Sequence, residues 1–140
     1  MAMLRLPTRS SDGKANLHQG AIGVGIALGS GQTTFGVHYN RNIDEHPDFG
    51  IDLSGIQVPH WRQLLELGAR CYELTGLGYL GVDIVLDKNL GPLILEINAR
   101  PGLSIQLANQ QGLTGVLDNI DQLACQSLRP HERIDLLLDS

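Results

Sequence analysis

Two facing β-patterns narrow the possible folds of this chain more than any other part of its sequence. In residues 79–87 and 93–99, aliphatic side chains recur at every second position, which is the period of a β-strand. Residues 88–92 between them are rich in turn-forming types. The two segments therefore predict an antiparallel hairpin, and we expect its aliphatic face to belong to the core. That face would consist of Leu80, Val82, Ile84, Leu86, Leu93, Leu95 and Ile97.

The same pattern predicts which polar residues face each other across the hairpin. A two-residue turn and a four-residue turn give one common register, in which Asp83 lies directly opposite Glu96 and Asn98 lies one step along the same face. A slip of one residue would move aliphatic side chains out of the core, so the hydrophobic pattern favours this register. The turn pairs would be Lys88 with Gly91 or Asp87 with Pro92.

Two carboxylates at facing positions of a ladder repel each other unless something compensates them. A magnesium ion would do so, because carboxylate and amide oxygens are its preferred ligands and nucleotide phosphates often complete its shell. The alternative is an ordinary solvated face of an antiparallel sheet, where Asp, Glu and Asn are common. Arg100 at the end of the strand favours the metal hypothesis, since a guanidinium beside a metal-bound phosphate stabilises a transferring phosphoryl group.

The rest of the chain predicts a mixed α+β fold in which helices cover an antiparallel β-sheet. Alternation in residues 22–39 around Gly29-Ser30-Gly31 predicts a second hairpin, and residues 4–20 predict a polar loop after a short strand. Apolar residues at helical spacing predict one helix between Pro59 and Gly76 and a last helix from residue 113, with Thr114 as its N-cap. No linker divides the chain, so residues 1–140 are interpreted as a single domain.

Charge, hydropathy and cysteine usage exclude several classes of protein. The net charge is −5 and no basic cluster follows the chain, so we expect no nucleic-acid partner. Apolar runs are too short to span a bilayer, and charges in the first twenty residues do not fit a signal peptide, so we expect no membrane partner and a cytoplasmic protein. Cys71 and Cys125 lie far apart in helix-like segments, which predicts buried, reduced thiols.

The motifs resemble those of a known superfamily. Residues 95–103, LEINARPGL, preceded by Gly81-Val82-Asp83, resemble the metal-binding hairpin of the ATP-grasp superfamily. Upstream, residues 14–20, KANLHQG, look like the basic-x-Asn-Leu-His-x-Gly segment of its alpha-L-glutamate ligase-like, ribosomal-protein-modifying branch. The chain is identified by this resemblance as the C-terminal lobe of an ATP-grasp fold, without the N-terminal lobe.

The resemblance implies roles for individual residues. Asp83, Glu96 and Asn98 would hold one or two Mg²⁺ ions, with Glu96 bridging them, and Asn98 would also belong to the nucleotide site. Arg100 would be the catalytic group that contacts the γ-phosphate of ATP or the acyl phosphate formed from it.

The resemblance further implies cofactor-binding roles outside the hairpin. A loop that closes over the phosphates or the acceptor would carry Lys14, Asn16 and His18. After the Pro101-Gly102 turn, Ser104 is a further candidate for contact with phosphate.

The implied activity is an ATP-dependent carboxylate–amine ligase that uses ATP and Mg²⁺ and forms an acyl phosphate. Its substrates would be small-molecule or peptide carboxylates and amines. Because a second lobe would be missing, we expect the isolated chain to be inactive and its exposed sheet face to pair with that lobe or with another copy. The alternatives are a non-catalytic metal- or nucleotide-binding interaction module derived from such a lobe, and a small structural protein with an acidic hairpin.

Overall fold

A computed structural model describes residues 1–122 and 127–138 of the chain. The fold is mixed α+β with antiparallel sheets and helices, as the sequence predicts. The chain divides into two compact units, the first formed by Met1–Val58 with Leu103–Asp118 and the second by Pro59–Gly102 with Asn119–Ser140. The interpretation of residues 1–140 as one domain stays a prediction. Within the described residues, no helix has the length and apolar character needed to cross a membrane.

The first unit contains a four-stranded antiparallel sheet of order β1-β2-β3-β4. Its central core is formed by Ile22, Val24 and Leu53, and every residue of β2 is buried. The predicted hairpin of residues 22–39 is confirmed as β2 and β3. The short fourth strand lies beyond the segment that the sequence predicts as a hairpin. The strand bounds are β1 Ala2–Leu6, β2 Ile22–Ile26, β3 Thr33–His38 and β4 Arg41–Ile43.

Glycine in β2 allows a short helix to lie directly against the sheet. The helix is α2, Ser104–Asn109, and its Ala108 is buried. A Cβ atom added at Gly25 would lie 2.3 Å from the carbonyl oxygen of Ala108, and one at Gly23 would lie 3.7 Å from the Ala108 Cβ. At Gly25, only a residue without a Cβ permits this approach, whereas the distance at Gly23 is an ordinary van der Waals contact. At this point the backbone of α2 contacts the backbone of β2.

The second unit contains α1, the β5–β6 hairpin and α4. Helix α1 spans Trp61–Thr75, as predicted, and Gly76 ends it in the left-handed conformation with φ 66°. Cys71 on this helix is 2% exposed, which confirms it as a buried thiol, and burial raises its pKa. Cys125 lies outside the described residues. The strands are β5 Gly81–Asp87 and β6 Gly91–Asn98.

Helix α4, Pro130–Leu138, is an element that the sequence interpretation missed. Its N-terminus is a capping arrangement in which Glu132 Oε2 accepts a 2.8 Å hydrogen bond from the Arg129 backbone N–H. Glu132 Oε1 also accepts from the Arg129 guanidinium at 2.8 Å. The side-chain hydrogen bond from Arg129, followed by the backbone one, lowers the pKa of Glu132 to about 2. Proline at the first helical position followed by this glutamate was the available signal.

The predicted N-cap of the helix after residue 112 is wrong. Helix α3 spans Leu113–Gln122, so Thr114 lies inside it. The backbone N–H of Leu113 donates a 2.9 Å hydrogen bond to Gln106 Oε1. Because a glutamine seven residues earlier satisfies this first N–H, the helix begins before the threonine.

Candidate functional site

The hairpin of the second unit pairs Asp83 with Glu96, as the hydrophobic pattern predicts. The same ladder pairs Val82 with Ile97 and Gly81 with Asn98. Glu96 and Asn98 therefore point to the same side of β6, because residues two apart share a face. The predicted juxtaposition of two carboxylates with a neighbouring amide is confirmed as a feature of the backbone register.

The turn, however, differs from both predicted turns. Asp87 pairs with Gly91, so the loop contains three residues, 88–90. Asp87 Oδ1 accepts hydrogen bonds from the backbone N–H groups of Asn89, at 2.8 Å, and Leu90, at 2.9 Å, and these bonds lower the pKa of Asp87. Gly91 follows with φ 76°, as in three-residue hairpin loops that end in a left-handed residue.

An irregularity in β6 returns the register to the predicted one. Ile84 pairs with Ile94, whereas Asp83 pairs with Glu96, so Leu95 is an additional residue without a partner on β5. This is a β-bulge, a feature that is frequent beside functional sites. The three-residue loop shifts the register by one position and the bulge at Leu95 shifts it back. The facing carboxylates are thus obtained by two departures from a regular hairpin.

Because of the bulge, the aliphatic face of the hairpin differs from the predicted one. Opposite Ile84 and Leu86 lie Ile94 and Pro92, where the regular pattern predicts Leu95 and Leu93. Pro92 is buried, whereas Leu95 is 70% exposed. The expectation of a continuous buried face is therefore wrong between the bulge and the turn. The one-residue shift changes which β6 side chains lie opposite the β5 aliphatics, and Ile94, which replaces Leu95 opposite Ile84, is itself 39% exposed. Leu86 and Leu93 are also exposed.

Arg100 follows β6 at a point where two backbone segments approach closely. A Cβ atom added at Gly81 would lie 2.6 Å from the Pro101 Cβ. Glycine at residue 81 therefore lets the Pro101 ring contact the start of β5, directly beside the pair of Gly81 with Asn98. This contact determines where the chain turns immediately after Arg100. Arg100 itself is exposed.

The donor set of the hairpin suits a hard divalent cation. Asp83 and Asn98 are partly buried and Glu96 is exposed, so the group borders solvent. Within residues 1–122 and 127–138 there is no cluster of three or more His, Cys, Asp or Glu side chains that could form a protein-only metal cage. Magnesium does not need one, because it usually takes one or two carboxylates and completes its shell with water and phosphate oxygens. Two carboxylates and one amide fit that requirement.

The other predicted cofactor-binding residues lie in the first unit. Asn16 Oδ1 accepts a 3.0 Å hydrogen bond from the His18 backbone N–H and so caps the 3-10 turn Leu17–Gln19. His18 and Ser104 line one cavity, which the structure brings together from opposite ends of the unit's sequence. Lys14 is exposed in the preceding loop. Roles of these four residues toward a nucleotide stay predictions.

Sequence reasoning missed three polar residues that line the same cavity, Tyr39, Asn40 and Gln106. Tyr39 and Asn40 form the tight turn between β3 and β4 with φ values of 47° and 60°. Left-handed backbone conformation is unusual for a tyrosine, and such strained positions cluster at functional sites. The available sequence signal was Asn40 after an alternating strand, which indicates a hairpin turn.

Comparison with known proteins bears out the superfamily resemblance. A family model described as sugar-transfer associated ATP-grasp matches residues 1–122. Tubulin polyglutamylase TTLL11 of Homo sapiens is 34% identical over 62 residues, which are 44% of this chain and 8% of that protein. The Mus musculus protein of the same name is 36% identical over 62 residues, with the same coverage.

A bacterial relative has a related name. Probable alpha-L-glutamate ligase 1 of Hahella chejuensis is 34% identical over 65 residues, which are 46% of this chain and 21% of that protein. The matched stretches thus span only 8% to 21% of the lengths of these curated relatives. No solved structure matches the chain. Since the family model covers most of the sequence, the chain belongs to the sugar-transfer associated ATP-grasp family.

Proposed function

We propose that this chain carries the Mg-ATP-binding hairpin of an ATP-dependent carboxylate–amine ligase of the glutamate-ligase kind. The observation that carries the proposal is the ladder pair of Asp83 with Glu96 in a chain of an ATP-grasp family. The relatives' names, tubulin polyglutamylase and probable alpha-L-glutamate ligase, support ligation of a glutamate. Other small-molecule or peptide carboxylates and amines fit the same chemistry.

In this proposal, different residues of the hairpin region bind the metal and the phosphates. Asp83, Glu96 and the amide oxygen of Asn98 would hold one or two Mg²⁺ ions, with Glu96 able to bridge two because a carboxylate has two oxygens. Bound magnesium neutralises charge on the phosphates of ATP. Arg100 presents a guanidinium, whose planar donors match phosphate oxygens.

The reaction activates a carboxylate before an amide is formed. A carboxylate oxygen of the acid attacks the γ-phosphorus of ATP, the bond from that phosphorus to the bridging oxygen breaks, and ADP leaves. The lone pair of the amine nitrogen then attacks the carbonyl carbon of the acyl phosphate. Phosphate leaves with the electrons of the carbon–oxygen bond, and the nitrogen loses a proton. Arg100 stabilises the charge on the transferring phosphoryl group, and positioning supplies most of the rate.

Calorimetric titration of the full 140-residue chain with ATP tests the proposal. We expect saturable binding with magnesium present and weaker binding when a chelator removes the metal. Asp83→Asn and Glu96→Gln should each weaken Mg-ATP binding at least about tenfold, since each removes a charged ligand while retaining side-chain size. Asp118→Asn, at an exposed position on α3, is the matched control and should bind as the unsubstituted chain does.

The outcomes separate the proposal from its alternatives. Unchanged Mg-ATP binding in both hairpin variants would contradict it. Magnesium binding without nucleotide binding would support a metal-binding interaction module instead, and absence of both would support the solvated acidic face. ADP formation that depends on an added N-terminal lobe, glutamate and an amine acceptor would establish the ligase reaction.

We also propose that exposed aliphatic side chains of the hairpin mediate self-association. Leu95 at the bulge is 70% exposed, and neighbouring Leu93 is 38% exposed. Sedimentation velocity at two protein concentrations should show a concentration-dependent increase in mass that Leu95→Lys abolishes and Leu74→Lys, at another exposed leucine, does not. A single monomeric species at both concentrations would contradict this proposal.

A further inference from the structure

The first unit contains a cavity of about 590 Å³, and no residue of the β5–β6 hairpin lines it. We refer to it as the turn cavity, because the 3-10 turn Leu17–Gln19 and the β3–β4 turn form part of its wall. Its volume lies within the range of about 300–1,000 Å³ that is typical of small-molecule sites. Its polar lining residues are His18, Tyr39, Asn40, Ser104 and Gln106.

One wall of the turn cavity is held by hydrogen bonds that converge on the Gly20 carbonyl oxygen. That oxygen accepts from Thr8 Oγ1 at 2.7 Å, from Ser10 Oγ at 3.3 Å and from His38 Nε2 at 3.0 Å. Gly20 closes the turn that carries His18, and its φ of 97° is accessible mainly to glycine. The position of His18 is therefore set by a fixed backbone before any ligand binds.

The adjacent part of the wall, which contacts Gly20, contains a residue in an unfavourable backbone conformation. Tyr39 adopts a left-handed backbone conformation, and its hydroxyl would lie only 2.4 Å from a Cβ atom added at Gly20. Its ring also contacts the ring of His38, with centroids 4.4 Å apart. A strained tyrosine packed against the glycine of the other turn gives the cavity an aromatic side that is preformed.

The side chains that line the turn cavity include both polar and apolar groups. Among the described lining residues there is no Asp, Glu, Lys or Arg. Amide, hydroxyl and imidazole groups stand beside apolar side chains that include Leu103 and Leu107. The side-chain oxygen Oε1 of Gln106 accepts a hydrogen bond from the Leu113 backbone N–H, so Gln106 offers a ligand its side-chain nitrogen Nε2. The described lining residues offer no lysine or arginine side chain that could form an ion pair with a phosphate or carboxylate.

We propose that the turn cavity binds an uncharged compound that carries several hydroxyl or amide groups, of the size of a monosaccharide. Hydroxyl and amide groups of the ligand exchange hydrogen bonds with Asn40, Ser104 and Gln106. An apolar face of the ligand packs against Tyr39 and the leucines, since aromatic side chains combine a large apolar area with low conformational entropy loss. The inference does not use Asp83 or Glu96, but it assigns His18 and Ser104 to an uncharged ligand in place of the phosphate contacts that the family resemblance implies for them.

Titration of the ¹⁵N-labelled full chain with N-acetylglucosamine, followed by amide chemical shifts, tests the inference. This probe carries hydroxyls, one amide and no charge. We expect saturable shifts at the cavity amides with a Kd on the order of 1 mM, which is the affinity expected for a ligand of this size. Sodium glutamate and inorganic phosphate should leave those amides unshifted.

Two variants and two controls make the result specific to the cavity. Tyr39→Asn removes the aromatic ring but retains a residue that tolerates the left-handed turn, and should weaken binding roughly tenfold. Ser104→Ala should weaken it severalfold. Tyr79→Asn, the same change in the second unit, and Asp118→Asn, at an exposed position on α3, should leave it unchanged. Absence of saturable shifts at the cavity, equal binding by the Tyr39 variant, or stronger binding of glutamate or phosphate there would overturn the inference.

Discussion

Replacing Gly81 with alanine should disturb the candidate site without altering any of its functional groups. The new Cβ would lie 2.6 Å from the Pro101 Cβ and 3.3 Å from the Pro101 Cγ. Because carbon atoms in contact are normally about 3.5–4.0 Å apart, relief of the first contact requires a displacement of about 1 Å. A proline ring cannot rotate away, so the backbone at the start of β5 or at the turn after Arg100 has to move.

We expect two measurable consequences of this displacement. The free energy of unfolding should fall by about 1–3 kcal/mol, as is typical when an atom is forced into a packed contact. Arg100 precedes Pro101 directly, so its position relative to Asp83 and Glu96 should shift by a comparable distance. If these groups bind Mg-ATP together, affinity should fall at least about tenfold, since misplacement by about 1 Å strongly weakens preorganised sites.

Urea unfolding and calorimetry measure the two effects. Trp61 lies in α1 of the same unit, so its fluorescence reports on the part of the chain that is perturbed. Gly78→Ala is the matched control, because a Cβ there meets nothing within 4 Å, and should change unfolding by less than about 1 kcal/mol. If the two variants unfold and bind alike, the reasoning that glycine 81 permits a functional close approach is refuted.

Three further predictions concern other parts of the chain. Gly25→Ala places a Cβ 2.3 Å from a backbone oxygen of α2 and should destabilise the first unit by about 3 kcal/mol or more, measured by circular dichroism in a urea titration. Gly29→Ala, whose Cβ meets nothing within 4 Å, should not destabilise it. Equal unfolding midpoints for the two variants would contradict the packing argument. In a Cys125→Ser background, Cys71 should react with a thiol reagent only at the rate of unfolding, because burial both shields it and raises its pKa; rapid reaction of the folded chain would refute this. The lowered pKa of Glu132 implies stabilisation that is fully present above pH 4.5 and is lost as pH falls through about 2. Glu132→Gln should therefore make the free energy of unfolding less dependent on pH between these values. An unchanged pH profile of this variant would contradict the capping role.

Local pattern was sufficient to predict the elements whose residues bury a periodic face. Helix α1, the β2–β3 hairpin and the two strands of the second hairpin were predictable because apolar periodicity follows directly from helix and strand geometry. Helix α4 was missed although Pro130 and Glu132 form a recognisable start. The start of α4 is marked by side-chain capping contacts, and the residues that follow show little apolar periodicity.

The alternating pattern predicted the correct partner for Asp83, but the structure reaches that pairing in a different way. The pair of Asp83 with Glu96 follows from a three-residue loop and a bulge whose shifts cancel. Alternation alone treats a strand as uniform, so neither the loop closed by Asp87 nor the unpaired Leu95 could be derived from it. The exposed fraction of Leu95 is the visible consequence of the difference.

The amino-acid sequence by itself determined the fold class, the superfamily resemblance and the acidic pair of the hairpin, because periodicity and motif spacing are properties of neighbouring residues. Only the tertiary structure decided that His18 and Ser104, 86 positions apart, line one cavity with Tyr39, and that Gly25 and Gly81 are sites of backbone contact. Such relations depend on which distant segments approach within van der Waals distance. That is settled by packing of the whole unit, which a one-dimensional pattern does not record.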